Sequence, residues 1–197
     1  SAASDVYKRQ VRHRVLSWTP EGIAYEADQR HADIVVSTLG LENSKGVISP
    51  GTKEEVDKVL LDEGEPLPPH AATEYRALAA RLNYLALDRP DIQYATKEIA
   101  KHMATPKDAH WLLMKRLGRY LKDNPRLVQL FRWQRPSADL TTYTDSDWAG
   151  DKVSRKSTSG GISFRGIHCI KSWSSNQTII ALSSAEAELY ALLKGAS

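Results

Sequence analysis

Two stretches in the last third of the chain decide the fold: residues 140–151 read LTTYTDSDWAGD, and residues 181–190 read ALSSAEAELY. β-favouring residues at 140–144 predict a short strand with Asp145 at its end. The second stretch predicts a helix that carries two more carboxylates. A strand and a later helix that both present acids are therefore the starting point for fold and function.

The helix is predicted over residues 185–194, with Ser183 as its N-cap. Its first turns hold two acids, Glu186 and Glu188. Because residues two positions apart do not share a helix face, only one of these glutamates is expected to point at the sheet.

A strand-end carboxylate that meets a helix carboxylate suits magnesium, which prefers hard oxygen ligands and keeps several waters. Two such ions, roughly 4 Å apart, can activate a water and stabilise the leaving oxygen of a phosphodiester. The residues alone leave a second interpretation open, since the helix dipole favours acids in the first turn of any surface helix. On that interpretation the two glutamates only stabilise the helix.

Short β-rich runs separated by turn residues surround the first stretch. They predict a meander that ends in the helix capped by Ser183. The runs cover residues 127–133, 140–144, 161–164, 167–173 and 178–181.

Near the start of the chain, residues 15–25 predict a hairpin around Pro20-Glu-Gly22. Apolar residues at helical spacing then predict a helix over residues 27–39, with Gly40 as its C-cap. Prolines and glycines between residues 42 and 70 predict an extended linker, with a helical turn at 54–61.

Three helices are predicted between residues 73 and 123. Thr73 is the predicted N-cap of the first, Arg89-Pro90-Asp91 separates it from the second, and the third covers residues 108–123. Three apolar stripes at helical spacing predict that these helices form a small bundle. The stripes are Tyr75, Leu78, Ala79, Leu82 and Leu85; Ile92, Ala95, Ile99 and Met103; and Trp111, Met114, Leu117 and Leu121.

The formal net charge is only +3, but basic residues concentrate in and around the third of these helices. Lys115, Arg119 and Lys122 fall on one face of it. Such a block favours a surface for a polyanion, with a solvated helix face as the alternative. No apolar run approaches the roughly 20 residues that span a bilayer, so no membrane partner is expected. A single cysteine, Cys169, excludes an internal disulfide.

Several motifs, in a fixed order, carry a resemblance to a known family. They are YRAL at 75–78, LNYL at 82–85, RPDI at 89–92, YTDSDWAGD at 143–151, RKSTSGG at 155–161, SWSSNQ at 172–177 and ALSSAEAELY at 181–190. With these motifs the chain resembles the Pol polyprotein of copia-type LTR retrotransposons, from the C-terminal region of the reverse transcriptase into the ribonuclease H. The resemblance covers nearly everything after Gln10.

The resemblance implies an α+β chain, in which a thumb- or connection-like helical region of a reverse transcriptase precedes a truncated ribonuclease H-like β-meander plus helix. The first residues are set apart, because DVYKRQ at 5–10 reads like a translated sequencing adaptor. The predicted segments are 1–10, adaptor-derived; 11–41, the end of a palm-like region; 42–70, a linker; 71–125, the thumb-like bundle; and 137–197, an incomplete ribonuclease H-like domain.

The resemblance also implies the site. The strand-one catalytic aspartate of ribonuclease H folds matches Asp145, and the helix-one glutamate matches Glu188 rather than Glu186. Both would hold Mg²⁺ in the complete domain. The implied partners are RNA–DNA hybrid, template–primer duplex and the rest of the Pol polyprotein. The residues expected to contact nucleic acid are Lys115, Arg119, Lys122, Arg155, Lys156, Ser157 and Thr158. For the basic hairpin at residues 152–156, a solvated turn is the alternative.

The family copies RNA into DNA and hydrolyses the RNA strand of hybrids, in a cytoplasmic virus-like particle or the nucleus. The paired aspartates of the polymerase and the later carboxylates of the nuclease are not among the 197 residues. We therefore expect weak magnesium binding and little hydrolysis. A non-catalytic remnant that grips duplex through its basic helix, and a genomic relic without function, are the alternatives.

Overall fold

The structure is a computed structural model that describes residues 7–11, 14–61 and 64–197. Residues 1–6 of the adaptor-like segment lie outside the described residues. The described residues form helices and strands in mixed order, which confirms the α+β class. In chain order these are β1 (Tyr7–Val11), β2 (Arg14–Thr19), β3 (Gly22–Ala27), α1 (Arg30–Thr38), α2 (Lys53–Leu60), α3 (Pro69–Ala86), a 3-10 turn (Pro90–Ile92), α4 (Gln93–Ala100), α5 (His110–Asp123), β4 (Val128–Arg132), β5 (Leu140–Asp147), β6 (Thr158–Arg165), β7 (His168–Asn176) and α6 (Ser184–Ala196).

The strands form two sheets, one in the order β1-β2-β3-β4 and one in the order β5-β6-β7. The predicted hairpin is confirmed, since β2 and β3 are neighbours joined at Pro20 and Glu21. β4, which the sequence predicted as part of the later meander, belongs instead to the first sheet. The chain divides into two units. The sheet unit comprises the described residues up to Lys8, Ser17–Ala24 and Leu130–Ser197, and the helical unit comprises Arg9–Leu16 and Tyr25–Gln129.

The three predicted apolar stripes form the core of the helical unit. Each stripe is buried along most of its length, and Met103 and Trp111 pack at the margin. The segment predicted as a linker also contributes, because Val56 and Val59 of α2 are 6% and 3% exposed and lie in the same core. The structure therefore has a two-turn amphipathic helix where a linker with a helical turn was predicted. Thr52 caps this helix through its side-chain oxygen.

The starts of α3 and α1 differ from the predictions. α3 begins at Pro69, and Thr73 is not its N-cap. A proline suits the first helical position because it has no N–H to satisfy, and the Thr73 hydroxyl instead donates to the Pro69 carbonyl at 2.8 Å inside the helix. α1 begins at Arg30 rather than Ala27, since Ala27 is still part of β3. No helix among the described residues is long and apolar enough to cross a membrane.

The second sheet is antiparallel throughout, with Leu140 opposite Arg165 and Asp147 opposite Thr158 in the first strand pair. The strand predicted at residues 178–181 is wrong, because this stretch connects β7 to α6 without sheet pairing. At its start, buried Gln177 turns into the unit and donates to the Ala187 carbonyl at 2.8 Å. Trp148 Nε1 donates to the Ala181 carbonyl at 3.0 Å at the other end.

The predicted cap of the last helix is confirmed: Ser183 Oγ accepts from the backbone N–H of Glu186 at 3.2 Å. We expect Ser183→Ala to lower the free energy of unfolding by about 1 kcal/mol, because one helix N–H loses its partner. Urea denaturation measures the change. Ser184→Ala, one residue into the helix, is the control, and an equal loss in both variants would contradict the assignment.

Candidate functional site

Alternation along β5 decides which of its side chains meet α6. Thr142, Thr144 and Ser146 share one face, because successive side chains on a strand point to opposite sides. A Cβ built on Gly195 of α6 would lie 2.6 Å from Cγ2 of Thr144 and 3.1 Å from Cγ2 of Thr142. Glycine at this position therefore lets the helix lie close against β5.

Glu188 is the glutamate that points at β5. Its Oε1 accepts from the hydroxyl of Ser146 at 2.9 Å and from the backbone N–H of Ser146 at 3.3 Å. Together these two donors fix the carboxylate beside the strand. The expectation that only one of the two acids of the helix faces the sheet is confirmed.

Glu186 has a different role in the structure. Its Oε2 accepts from the backbone N–H of Leu182 at 2.7 Å, and its Oε1 accepts from the Tyr190 hydroxyl at 3.0 Å. The bond to Glu186 raises the pKa of Tyr190, because phenol ionisation would remove the donor. Stabilising the helix start, the plainer interpretation of these acids, therefore describes Glu186.

Asp145 lies on β5 directly before Ser146, opposite Gly160 of β6. Its side chain is exposed and, by alternation, projects from the face of the sheet opposite the one that Ser146 presents to Glu188. Asp147 is also exposed, with its carboxylate over Gly150. The structure thus places Asp145 and Glu188 at the same end of one strand, on opposite sides of it.

The carboxylates do not form a magnesium site by themselves. No group of three or more histidine, cysteine, aspartate or glutamate side chains within reach of one ion occurs in the part of the chain that the structure describes. Asp145 and Glu188 are the two candidates, and the pleat of β5 directs them to opposite faces of the strand. Neither has two further ligands of these types beside it in the described residues.

Three of the predicted phosphate-binding residues after β5 lie in the connection to β6, and Thr158 is the first residue of β6. Asp151 Oδ1 accepts from the backbone N–H groups of Val153 and Ser154 at 3.1 and 2.8 Å. Arg155 adopts a left-handed backbone with φ of 59° and is exposed. The turn is therefore built by Asp151, a residue that sequence reasoning did not single out, and it presents Arg155 outward.

Ser157 and Thr158 lie deeper than the sequence suggested. Ser157 is 0% exposed, and its Oγ accepts from the backbone N–H of Ala149 at 3.0 Å. Thr158 is half-buried, with its Oγ1 at 3.5 Å from Asn176 Oδ1. Lys156 is half-buried. Of these four predicted residues, Arg155 is the one fully at the surface.

In the helical unit, the predicted basic face of α5 is partly occupied. Lys115 is exposed, but Lys122 Nζ donates to the Ser44 carbonyl at 2.8 Å and lies 3.1 Å from Asp123. Arg119 is half-buried, and its Nε finds no hydrogen-bond partner among the described residues.

Sequence reasoning did not assign a role to Arg116, the neighbouring base on α5. It lies 2.6 Å from the Glu55 carboxylate of α2 and donates to the backbone and side-chain oxygens of Ser49. The acid-rich composition of residues 42–65 was the available signal for this pairing. Residues of segment 44–55 therefore bind the side chains of Arg116 and Lys122, which would otherwise face solvent.

Comparison with known proteins identifies relatives over most of the chain. It is 37% identical over 170 residues to the retrovirus-related Pol polyprotein from transposon RE2 of Arabidopsis thaliana, covering 86% of the chain. It is 43% identical over 117 residues, 59% of the chain, to the same kind of polyprotein from transposon RE1 of that plant. A third relative, from transposon TNT 1-94 of Nicotiana tabacum, is 30% identical over 84% of the chain.

The chain spans 11%, 8% and 12% of the length of these three relatives. No family model and no solved structure matches it.

Proposed function

The chain belongs to the Pol polyproteins of copia-type retrotransposons, and from this premise we propose that it is the segment joining reverse transcriptase to ribonuclease H. In this proposal it holds RNA–DNA hybrid or template–primer duplex and contributes carboxylates to the nuclease. The parent polyprotein copies RNA into DNA and hydrolyses the RNA strand of the hybrid.

The position of Glu188 carries the nuclease part of the proposal. In the sequence two glutamates compete, and the resemblance favours Glu188. The structure directs Glu188 at β5 and commits Glu186 to the helix start. Both donors to Glu188 belong to Ser146 of β5, whereas the donors to Glu186 are Leu182 and Tyr190, at the start of the helix and within it.

Exposed basic side chains support the proposal that the chain binds nucleic acid. Lys115 on α5 and Arg155 in the turn after β5 are both at the surface. Such groups suit phosphate oxygens, which fix the position of a duplex without reading its sequence.

Mg²⁺ belongs to the complete nuclease in this proposal, where it would supply charge for phosphodiester cleavage. No group of three or more metal-ligating side chains occurs among the described residues, so we expect the 197-residue chain to bind hybrid without hydrolysing it. The remaining parts of the Pol polyprotein are proposed partners, in a cytoplasmic virus-like particle or in the nucleus.

Hybrid binding without turnover is the expected result with a labelled RNA–DNA hybrid. The logarithm of the binding constant should fall linearly with the logarithm of salt concentration, because phosphate contacts release counterions. Fluorescence anisotropy across a salt series measures the slope, and gel analysis with Mg²⁺ should show intact RNA.

Lys115→Ala should reduce the steepness of that salt dependence by about one unit. Lys58→Ala is the matched control, since Lys58 is an exposed lysine of the same unit paired with Glu54 at 2.8 Å. Salt-independent binding would refute the phosphate surface, and RNA cleavage that needs Glu188 would refute the absence of turnover.

A further inference from the structure

A cavity of about 500 Å³ opens in the helical unit at the start of α1, next to α3. Its volume lies in the range of small-molecule pockets, roughly 300–1,000 Å³. None of the residues assigned above lines it. The lining residues are Asp28, Arg30, His31, Ile34 and Tyr84.

Two rings form one wall of this cavity. The ring centroids of His31 and Tyr84 are 5.0 Å apart, with the planes tilted by 59°. Tyr84 is 37% exposed, so part of its ring remains open. The guanidinium carbon of Arg14 lies 5.7 Å from the Tyr84 centroid. A planar ligand can therefore be received on an aromatic surface with a cation nearby.

Some of the arginines around the cavity form ion pairs, and one does not. Arg30 forms an ion pair with Asp28 and lowers the pKa of that carboxyl through its hydrogen bonds, and Arg14 lies 2.9 Å from Asp88. Arg81 has no such partner: it lies 3.1 Å from His31 Nδ1 and makes no ion pair among the described residues. One guanidinium beside the cavity is therefore free to meet an anion.

Arg81 also helps to position His31, because a nitrogen of its guanidinium lies 3.1 Å from Nδ1 of the ring. The imidazole is held beside Tyr84, where both rings can contribute to a stacking surface.

We propose that this cavity binds one unpaired nucleotide of a nucleic-acid strand, with its base against Tyr84 and His31 and its phosphate beside Arg81. Aromatic platforms flanked by arginines bind single strands in this way, because every base has a face that can stack. A paired base inside a duplex has both faces covered and does not qualify. The proposal does not depend on the binding of hybrid by α5.

The test uses the full chain and two labelled probes: an oligothymidylate of about eight nucleotides and an abasic strand with the same phosphates. The unaltered chain should bind the oligothymidylate about tenfold more tightly. Tyr84→Leu should remove this preference, and Tyr84→Phe, which keeps the ring, should retain it. Arg81→Gln should weaken binding of both probes, since both carry the phosphate.

Tyr94→Leu is the control in the same unit, because Tyr94 does not line the cavity. Thermal unfolding establishes whether each variant is folded. If Tyr84→Leu does not fold, the binding of both probes by Arg81→Gln tests the proposal instead. Equal affinity of the unaltered chain for both probes would overturn the proposal, as would a preference that survives in folded Tyr84→Leu. Lys115→Ala should leave the preference intact, so a failure of hybrid binding is seen separately.

Discussion

Arg89→Ala is expected to lower the free energy of unfolding by about 3–5 kcal/mol, the usual cost of breaking a buried ion pair from one side. The Arg89 side chain is 1% exposed, and its Nε and Nη2 donate to the two carboxylate oxygens of Asp91 at 2.9 and 2.7 Å. It also donates to the backbone carbonyls of Asn124 and Pro125 at 2.9 and 3.2 Å. One side chain thus connects the turn before α4 to the end of α5, and alanine would remove the donors to the Asp91 carboxylate and to both carbonyls.

Denaturant unfolding monitored by circular dichroism measures this loss. Arg89→Lys should recover only part of it, because an ammonium cannot form the two-nitrogen grip on Asp91. Arg76→Ala is the matched control: Arg76 also donates to two carbonyls, those of Met103 and Ala104, but is exposed. A loss below 1 kcal/mol for Arg89→Ala, or an equal loss for Arg76→Ala, would show that burial of the pair contributes little.

The helical core was the part of the fold that the sequence predicted best. Helical spacing of Leu78, Leu82 and Leu85 has one physical outcome in a helix, which is a buried stripe. The same reasoning failed for residues 178–181, where β-favouring composition predicted a strand. Ile179 and Ile180 are 48% and 53% exposed in the connection to α6. Local propensity gave no sign that Gln177 and Trp148 would hold this stretch out of the sheet.

Packing between segments that are distant in the chain could not be predicted from the sequence either. Residues 42–70 contain enough proline and glycine to predict a linker, and only the fold brings Val56 and Val59 into the core. The same packing places Glu55 against Arg116 and so reduces the basic surface of α5. Charge spacing on one helix predicts which bases share a face, but it does not predict which of them a second segment neutralises.

At the candidate site, helix geometry predicted that only one of Glu186 and Glu188 faces the sheet, and the family resemblance favoured Glu188. Their hydrogen bonds show that Glu188 is the one directed at β5. The relation of Asp145 to Glu188 needed coordinates. The predicted strand ended at Thr144, so its alternation was not extended to Asp145. In the structure β5 continues to Asp147, and the pleat directs Asp145 away from the side that meets α6.

In a Pol polyprotein that carries this segment, Glu188→Gln is expected to reduce hydrolysis of the RNA strand at least about 100-fold, the scale of a positioned catalytic carboxylate. Glutamine keeps the shape of the side chain and an oxygen that can accept from Ser146, so the change removes charge and leaves the packing of α6. Glu186→Gln is the equivalent change two residues away, where an amide oxygen still accepts from Leu182 and Tyr190. Because Glu186 stabilises the helix start, its variant should retain cleavage within about threefold, a difference of less than 1 kcal/mol in activation free energy.

Cleavage of an end-labelled hybrid under single-turnover conditions measures both variants. Equal losses would indicate that the charge of the helix start matters rather than the position of one carboxylate, and a larger loss for Glu186→Gln would reverse the assignment.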